Sequence, residues 1–182
     1  WRETATTLID SDPVDIAASH VKVSILRHAV PFNEELLLFS DQTQFILSSS
    51  DLLTPQTATI LQATEFDSRL ETRPVGAGRF VYFAFSKGQY TGLREYFTQP
   101  NQAGYSAEDI TANVPKYIPE GAFKIAASSN DQTLVVLTDA EPNKLYVYRY
   151  YYSGGEVTQA SWSVWTLNEG DKILNAEFIE TD

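Results

Sequence analysis

Cysteine and methionine are both absent from this chain of 182 residues. Without cysteine, neither a disulfide framework nor a thiolate metal site can form. The two histidines are too few for a histidine-based zinc site, which needs three or four ligands. We therefore expect no cofactor and no metal. Because the chain opens on Trp1 and lacks an initiator methionine, we interpret it as an internal piece of a longer polypeptide.

Basic charge and long apolar runs are also scarce. The chain has 13 basic and 24 acidic residues, a net charge of −11. No basic stripe is present to neutralise phosphates, so a surface that grips nucleic acid is not expected. An acidic surface would instead repel DNA that passes nearby. The longest apolar runs fall far short of the roughly 20 residues that cross a bilayer, so we expect no membrane partner.

A hairpin pattern of apolar strand, polar turn and apolar strand occurs three times. Its apolar runs are residues 36–39 with 44–47, 80–85 with a strand from 89, and 134–137 with 145–148. Repeats of about 40 to 50 residues built from short strands are typical of β-propeller blades. The pattern predicts an all-β, mainly antiparallel fold: a partial β-propeller of about three four-stranded blades plus the start of a fourth.

The predicted domain organisation follows from these repeats. Residues 1–20 form a turn-rich entry segment, and residues 21–182 form an incomplete propeller-like domain. Its blades span roughly 21–66, 67–104 and 122–167, and the next blade starts with a strand over 173–179. In the first blade, Val21, Val23 and Ile25 alternate with polar residues as in a half-buried strand, which Pro31 would close.

One short helix is predicted near residues 106–114. Ser106 suits the N-cap, and Glu108 and Asp109 suit the first turn, where acidic side chains favour the helix dipole. Pro115 would end the helix after about two turns. We interpret it as a surface crossover between blades.

Five stretches of the chain carry a family resemblance: residues 1–13, 28–41, 93–96, 107–119 and 162–165. They resemble the tail tubular protein B (nozzle protein) family of short-tailed podoviruses, the autographivirus-type bacteriophages. The resemblance implies a virion structural protein of the tail, a homohexamer that closes the distal tail tube. It also implies a propeller-like domain and docking beneath the adaptor (gatekeeper) ring and beside the tail fibres. DNA would pass through the lumen without specific binding.

No residue set predicts catalysis. His20 and His28 flank a predicted strand without the Gly-X-Ser-X-Gly turn of a nucleophile, so they are interpreted as ordinary polar residues. The adjacent acids Glu34 and Glu35 would point to opposite faces of an extended strand. We interpret both this pair and the neighbouring acids Glu108 and Asp109 as solvated charges at strand edges. We expect a protein that is not an enzyme.

An aromatic face is the strongest binding candidate. Tyr146, Tyr148 and Tyr150 alternate with other residues and therefore share one face of a strand, and Trp162 could join them. Trp162 and Trp165 would face opposite sides of their strand. Such rings can bind a sugar or peptide, but packing between blades uses them more often.

Two alternatives to an inert scaffold stay open. A carbohydrate- or receptor-binding propeller would use the aromatic face as its platform. A propeller glycosidase would need two acids about 5 to 9.5 Å apart across a cleft. No pair of acids on converging strands is evident in the sequence, which disfavours the glycosidase.

Overall fold

The computed structural model describes residues 9, 12–14, 25–49, 52–99, 104–153 and 156–179. These residues form twelve β-strands in three four-stranded sheets. The strands of the first sheet are β1 (His28–Phe32), β2 (Glu35–Phe39), β3 (Gln44–Ser48) and β4 (Thr59–Thr64). Those of the second are β5 (Val75–Ala77), β6 (Phe80–Ser86), β7 (Thr91–Thr98) and β8 (Tyr105–Asp109). Those of the third are β9 (Ala122–Ser128), β10 (Thr133–Thr138), β11 (Lys144–Ser153) and β12 (Glu156–Thr166).

Each sheet is an antiparallel meander in which consecutive strands are neighbours. The three hairpins predicted from the sequence are β2–β3, β6–β7 and β10–β11. Each hairpin occupies the centre of its sheet, where each strand has a hydrogen-bonded neighbour on both sides. Central strands are the most enclosed, so apolar side chains suit them best. The all-β, blade-like architecture that the repeats predict is confirmed.

The turn between β1 and β2 explains a local departure from the predicted strand. Asn33 and Glu34 both have positive φ, at 49° and 64°, as a two-residue type I′ hairpin turn requires. Pro31 lies inside β1, opposite Leu36, and not at the end of a strand. The strand tolerates proline because β1 is an edge strand, where a missing N–H costs no ladder bond. Val21 and Val23 lie outside the described residues.

The second sheet lies between the other two and contacts each with one face. Successive side chains of a strand point to opposite faces. Val81 and Phe83 of β6 accordingly pack with Phe39 and Leu37 of the first sheet. The alternate residues Phe80, Tyr82 and Ala84 pack with apolar residues of the third sheet, among them Ile125, Leu134 and Val136. The near-continuous apolar run of β6 thus results from burial on both faces.

The first strands of the three sheets lie side by side, and β5 contacts both β1 and β9. A Cβ atom added at Gly76 would lie 3.5 Å from Cγ1 of Val30 in β1. One added at Gly78 would lie 3.2 Å from Cβ of Ser129, which follows β9. The sheets therefore approach closely at corresponding edges, as the blades of a propeller do at their inner strands.

The helix predicted near 106–114 is absent. Residues 105–109 form β8, which pairs with Arg94–Thr98 of β7, and turns follow to residue 113. The reason is tertiary: Ala107 is buried against the first sheet, and the Tyr105 hydroxyl donates a 2.6 Å hydrogen bond to Glu35. The second sheet consequently extends beyond residue 104. Within the described residues, no helix is long and apolar enough to span a membrane.

The strand predicted over residues 173–179 is also absent from the structure. Residues 171–179 instead run without regular secondary structure along the outer face of the third sheet. Ala176 and Phe178 pack there against Ala126, Val135 and Val147, and Glu177 pairs with Lys124. The apolar residues of this segment cover a sheet rather than extend one.

Candidate functional site

A groove of about 640 Å³ opens between the second and third sheets. Its size falls in the range of pockets that bind small molecules, roughly 300 to 1,000 Å³. Strands β7 and β8 supply one wall, and β11 and β12 supply the other. The residues that matter to its chemistry are Arg79, Glu95, Glu108, Tyr148, Tyr152 and Trp162.

The predicted aromatic face lies at and behind this groove. Tyr146, Tyr148 and Tyr150 are 3%, 5% and 7% exposed, and all three pack into the core between the second and third sheets. They share one face of β11, as their alternation predicts. Trp162 is half-buried beside them, and its ring centroid lies 5.0 Å from that of Tyr148. Of the four residues, Tyr148 and Trp162 line the groove.

A hydrogen bond to the backbone on the other side of the groove fixes the position of Trp162. Its indole N–H donates a 2.9 Å hydrogen bond to the carbonyl oxygen of Ile110. Trp165 lies on the opposite side of β12 and lines a second cavity with Ala176 and Phe178. The two tryptophans therefore face opposite sides of their strand, as predicted.

Two carboxyl groups lie opposite each other on neighbouring strands of the groove wall. Glu95 of β7 pairs directly with Glu108 of β8. Side chains at such positions have Cβ atoms about 4.5 to 5.5 Å apart and point to the same face. Glu95 is only 5% exposed, whereas Glu108 is exposed. The pair thus places one buried and one solvated carboxyl in the same groove.

Burial raises the pKa of the Glu95 carboxyl to about 7. A hydrogen bond from the Tyr82 hydroxyl, 2.8 Å from Oε2, and the nearby charge of Arg79 lower this pKa, while the charge of Glu108 raises it. Burial dominates because the charged form loses its hydration. The same burial raises the pKa of Tyr82 far above its ordinary value. Near neutral pH, Glu95 therefore exchanges between donor and acceptor forms.

The Tyr148 side chain is almost fully buried, and it also lines the groove. Burial, followed by the charges of Glu95, Tyr150 and Glu108, raises the pKa of this phenol, so it stays protonated. This hydroxyl faces the groove beside both carboxyls.

Arg79 carries the positive charge of the groove. Its guanidinium lies 5.2 Å from the ring centroid of Tyr152 and 5.7 Å from that of Phe80. It also donates a hydrogen bond to the Tyr152 hydroxyl. Arg79 precedes β6, and Tyr152 belongs to β11, so this contact bridges the second and third sheets.

The sequence reading missed Glu95 and its pairing with Glu108. The two residues are thirteen positions apart, and their proximity depends on β8 being a strand rather than a helix. The alternation of Tyr105, Ala107 and Asp109 with Ser106 and Glu108 was the available signal. Asp109, interpreted as solvated, is half-buried and pairs with Lys87 at 2.5 Å. Burial would raise its pKa, but hydrogen bonds from Lys87 and Thr111 outweigh burial and lower it.

The other candidate residues occupy structural positions. His28 donates a 2.7 Å hydrogen bond from Nε2 to the carbonyl oxygen of Leu70, and His20 lies outside the described residues. Glu34 belongs to the β1–β2 turn, and Glu35 accepts the bond from Tyr105. In the part of the chain that the structure describes, no three acidic or histidine side chains cluster closely enough to hold a metal ion.

Comparison with known proteins identifies the family of the chain. A model of the bacteriophage nozzle protein family matches residues 1–182. The chain is similar to the tail tubular protein gp12 of Escherichia phage T7, with 40% identity over 176 residues. The match covers 96% of the chain and 22% of that protein, so the chain spans about a fifth of its relative's length. The chain therefore belongs to the bacteriophage nozzle protein family, a family of structural proteins of the virion tail.

Proposed function

We propose that this chain is a rigid, non-catalytic part of the wall of the phage tail tube. Six copies of the protein would surround a lumen through which DNA is ejected. The observation that carries the proposal is the stacking of three four-stranded meanders with their first strands side by side. Such stacking makes a stiff unit of protein, which suits the fixed wall of a tube.

The buried contacts between sheets support a mechanical role. Phe39 and Phe83 join the first and second sheets, with ring centroids 5.2 Å apart. Tyr82 and Tyr150 join the second and third sheets at 6.4 Å. Aromatic residues bury large areas, and aromatic pairs at such separations add about 0.5 to 1.5 kcal/mol each. One such core joins the first and second sheets, and another joins the second and third, so the sheets resist sliding past one another.

The acidic charge supports passage of DNA without specific binding. Non-specific affinity for DNA comes from lysine and arginine side chains that displace counterions from phosphates. With a net charge of −11, the chain offers an excess of charge that repels phosphates. We propose that acidic residues face the lumen and keep DNA from adhering to the wall.

The proposed assembly extends beyond these three sheets. Residues 21–182 would form part of a propeller-like domain, with residues 1–20 as its entry segment. The nearest partners would be the adaptor (gatekeeper) ring and the tail fibres. Closed propellers have typically 4–8 blades, so additional sheets would have to complete the ring.

Cryo-electron microscopy of purified tails tests this function. We expect six copies of the three-sheet unit around the tube axis, with acidic side chains on the channel wall. A tail in which this segment lies outside the tube, or a different number of copies, would contradict the assembly. A neutral or basic channel wall would contradict the electrostatic part alone.

A further inference from the structure

We propose that the groove between the second and third sheets binds a neutral saccharide. A tube wall does not need this site, so the inference goes beyond the function proposed above. It starts from the rings of Trp162 and Tyr148, which contact each other and line the groove together with the carboxyl groups of Glu95 and Glu108.

The wall of the groove has the shape and composition of a sugar platform. Trp162 lines it with a half-buried ring whose orientation is fixed by the hydrogen bond to Ile110. Tyr148 packs against this ring at a centroid distance of 5.0 Å. A pyranose ring has apolar C–H faces, and a preoriented indole offers them a flat surface at little cost in conformational entropy.

The polar groups match the hydroxyl groups of a sugar. Each sugar hydroxyl both donates and accepts, so it pairs best with groups of both kinds. The protonated Tyr148 phenol can do either, the carboxyl oxygens of Glu108 can accept, and Glu95 changes between the two forms near neutral pH. All three groups line the groove beside the Trp162 ring.

The charges of the groove select a neutral ligand. Glu95, Glu108 and Glu156 line it together with the single arginine Arg79. This excess of acid disfavours an anionic sugar, because like charges brought together during desolvation are costly. A cationic ligand is disfavoured for another reason. The Arg79 guanidinium already lies over the Tyr152 ring and interacts with Glu95, so the position that a ligand cation would take is occupied by the chain itself.

Saturation-transfer NMR with the full-length protein tests the proposal. The probes are neutral trisaccharides of glucose, galactose and mannose, together with trigalacturonate as the anionic counterpart. We expect saturation of ring protons in at least one neutral sugar and none in trigalacturonate. Titration calorimetry then gives the dissociation constant for the neutral sugar that binds.

Two tyrosine variants locate the site. Tyr148→Phe removes only the hydroxyl and leaves the ring in its core, so we expect the fold to be retained. Loss of one hydrogen bond to the ligand should weaken binding about fivefold. The control is Tyr151→Phe, on the opposite face of the same strand, where the side chain is 59% exposed. It should bind as the unaltered protein does.

Three results would overturn the inference. The first is no saturation of any neutral probe, since the panel covers the common neutral hexoses. The second is equal affinity in Tyr148→Phe and the unaltered protein, which would place the sugar elsewhere. The third is binding of trigalacturonate as tight as that of the neutral sugars. None of these results bears on the hexameric tube, so the two proposals can fail separately.

Discussion

At the scale of single residues, Glu95 shows how a structural interface can hold an ionisable group. Its Oε2 atom accepts the Tyr82 hydroxyl, while the rest of the side chain is enclosed between two sheets. One hydrogen bond does not replace the hydration that a carboxylate loses on burial. The folded protein therefore favours the protonated form, which makes its stability depend on pH.

We predict that Glu95 destabilises the fold as pH rises. Its pKa is 4.5 when unfolded and about 7 when folded, so the folded state binds the extra proton between these values. Stability is fully present below the unfolded pKa and falls as pH rises towards the folded pKa. The total loss is about 3 kcal/mol, from roughly 1.4 kcal/mol per pKa unit. Denaturant unfolding across this range, with and without Glu95→Gln, measures it.

The Glu95→Gln variant stays neutral and keeps an oxygen for the Tyr82 hydroxyl. Its stability relative to the unaltered protein should therefore increase with pH, mostly between about 4.5 and 7. Glu169→Gln is the control, because Glu169 is exposed and away from the groove. A stability difference that is constant with pH in Glu95→Gln would show that Glu95 titrates normally in the folded protein.

At the scale of elements, β8 shows where sequence reasoning fails. Ser106, Glu108, Asp109 and Pro115 form a plausible helix with a cap, an acidic first turn and a stop. The same residues alternate with Tyr105 and Ala107, which the first sheet buries. Local preferences for five residues are weak, and burial against a neighbouring sheet outweighs them. That neighbour is more than 40 positions earlier in the chain, so a local pattern cannot reveal it.

The segment over residues 171–179 shows the converse case. Its apolar residues suggested a strand, and they do pack on a sheet, but without ladder hydrogen bonds. Ile173 donates its N–H to the carbonyl oxygen of Pro142, and Glu177 pairs with Lys124. Periodicity indicates which residues are buried. It does not indicate whether they only pack through their side chains or also pair with a neighbouring strand through backbone hydrogen bonds.

We predict that Phe178 anchors this segment. Phe178→Ala should destabilise the protein by about 1 to 3 kcal/mol, below the usual cost of a fully buried phenylalanine because Phe178 is half-buried. Leu174→Ala is the matched control in the same segment, since Leu174 is 75% exposed and should contribute little. Thermal unfolding compares the two variants. Equal losses would mean that the segment does not lie on the sheet through Phe178.

At the scale of the whole molecule, the three meanders could be predicted and their arrangement could not. Strong apolar runs at 80–85 and 134–137 specify central strands by themselves. The order of stacking depends on contacts between residues far apart in sequence. Gly78, for example, comes close to Ser129 only after the second and third sheets have packed together. A pattern within one sequence does not reveal which distant residues form such pairs.

The cysteine-free sequence allows this arrangement to be tested directly. A disulfide requires Cβ atoms about 3.5 to 4.5 Å apart. Gly78→Cys with Ser129→Cys places one across the second and third sheets, where a Cβ added at Gly78 lies 3.2 Å from that of Ser129 and needs only a small outward shift. Gly76→Cys with Val30→Cys tests the first and second sheets, where a Cβ added at Gly76 lies 3.5 Å from Cγ1 of Val30, close to the place that a cysteine sulfur would take. We predict that both pairs oxidise to intramolecular disulfides, detected by mass spectrometry of non-reduced peptides.

The matching control is Gly88→Cys with Ser129→Cys. An added Cβ at Gly88 has no neighbouring atom within 4 Å, so this pair should remain reduced. Gly78 and Gly88 both have positive φ, at 60° and 70°, so the two substitutions impose similar backbone strain. Efficient cross-linking of the control pair, or none in the two test pairs, would contradict the side-by-side first strands. The stacking order of the sheets, on which the proposed tube wall depends, would then be wrong.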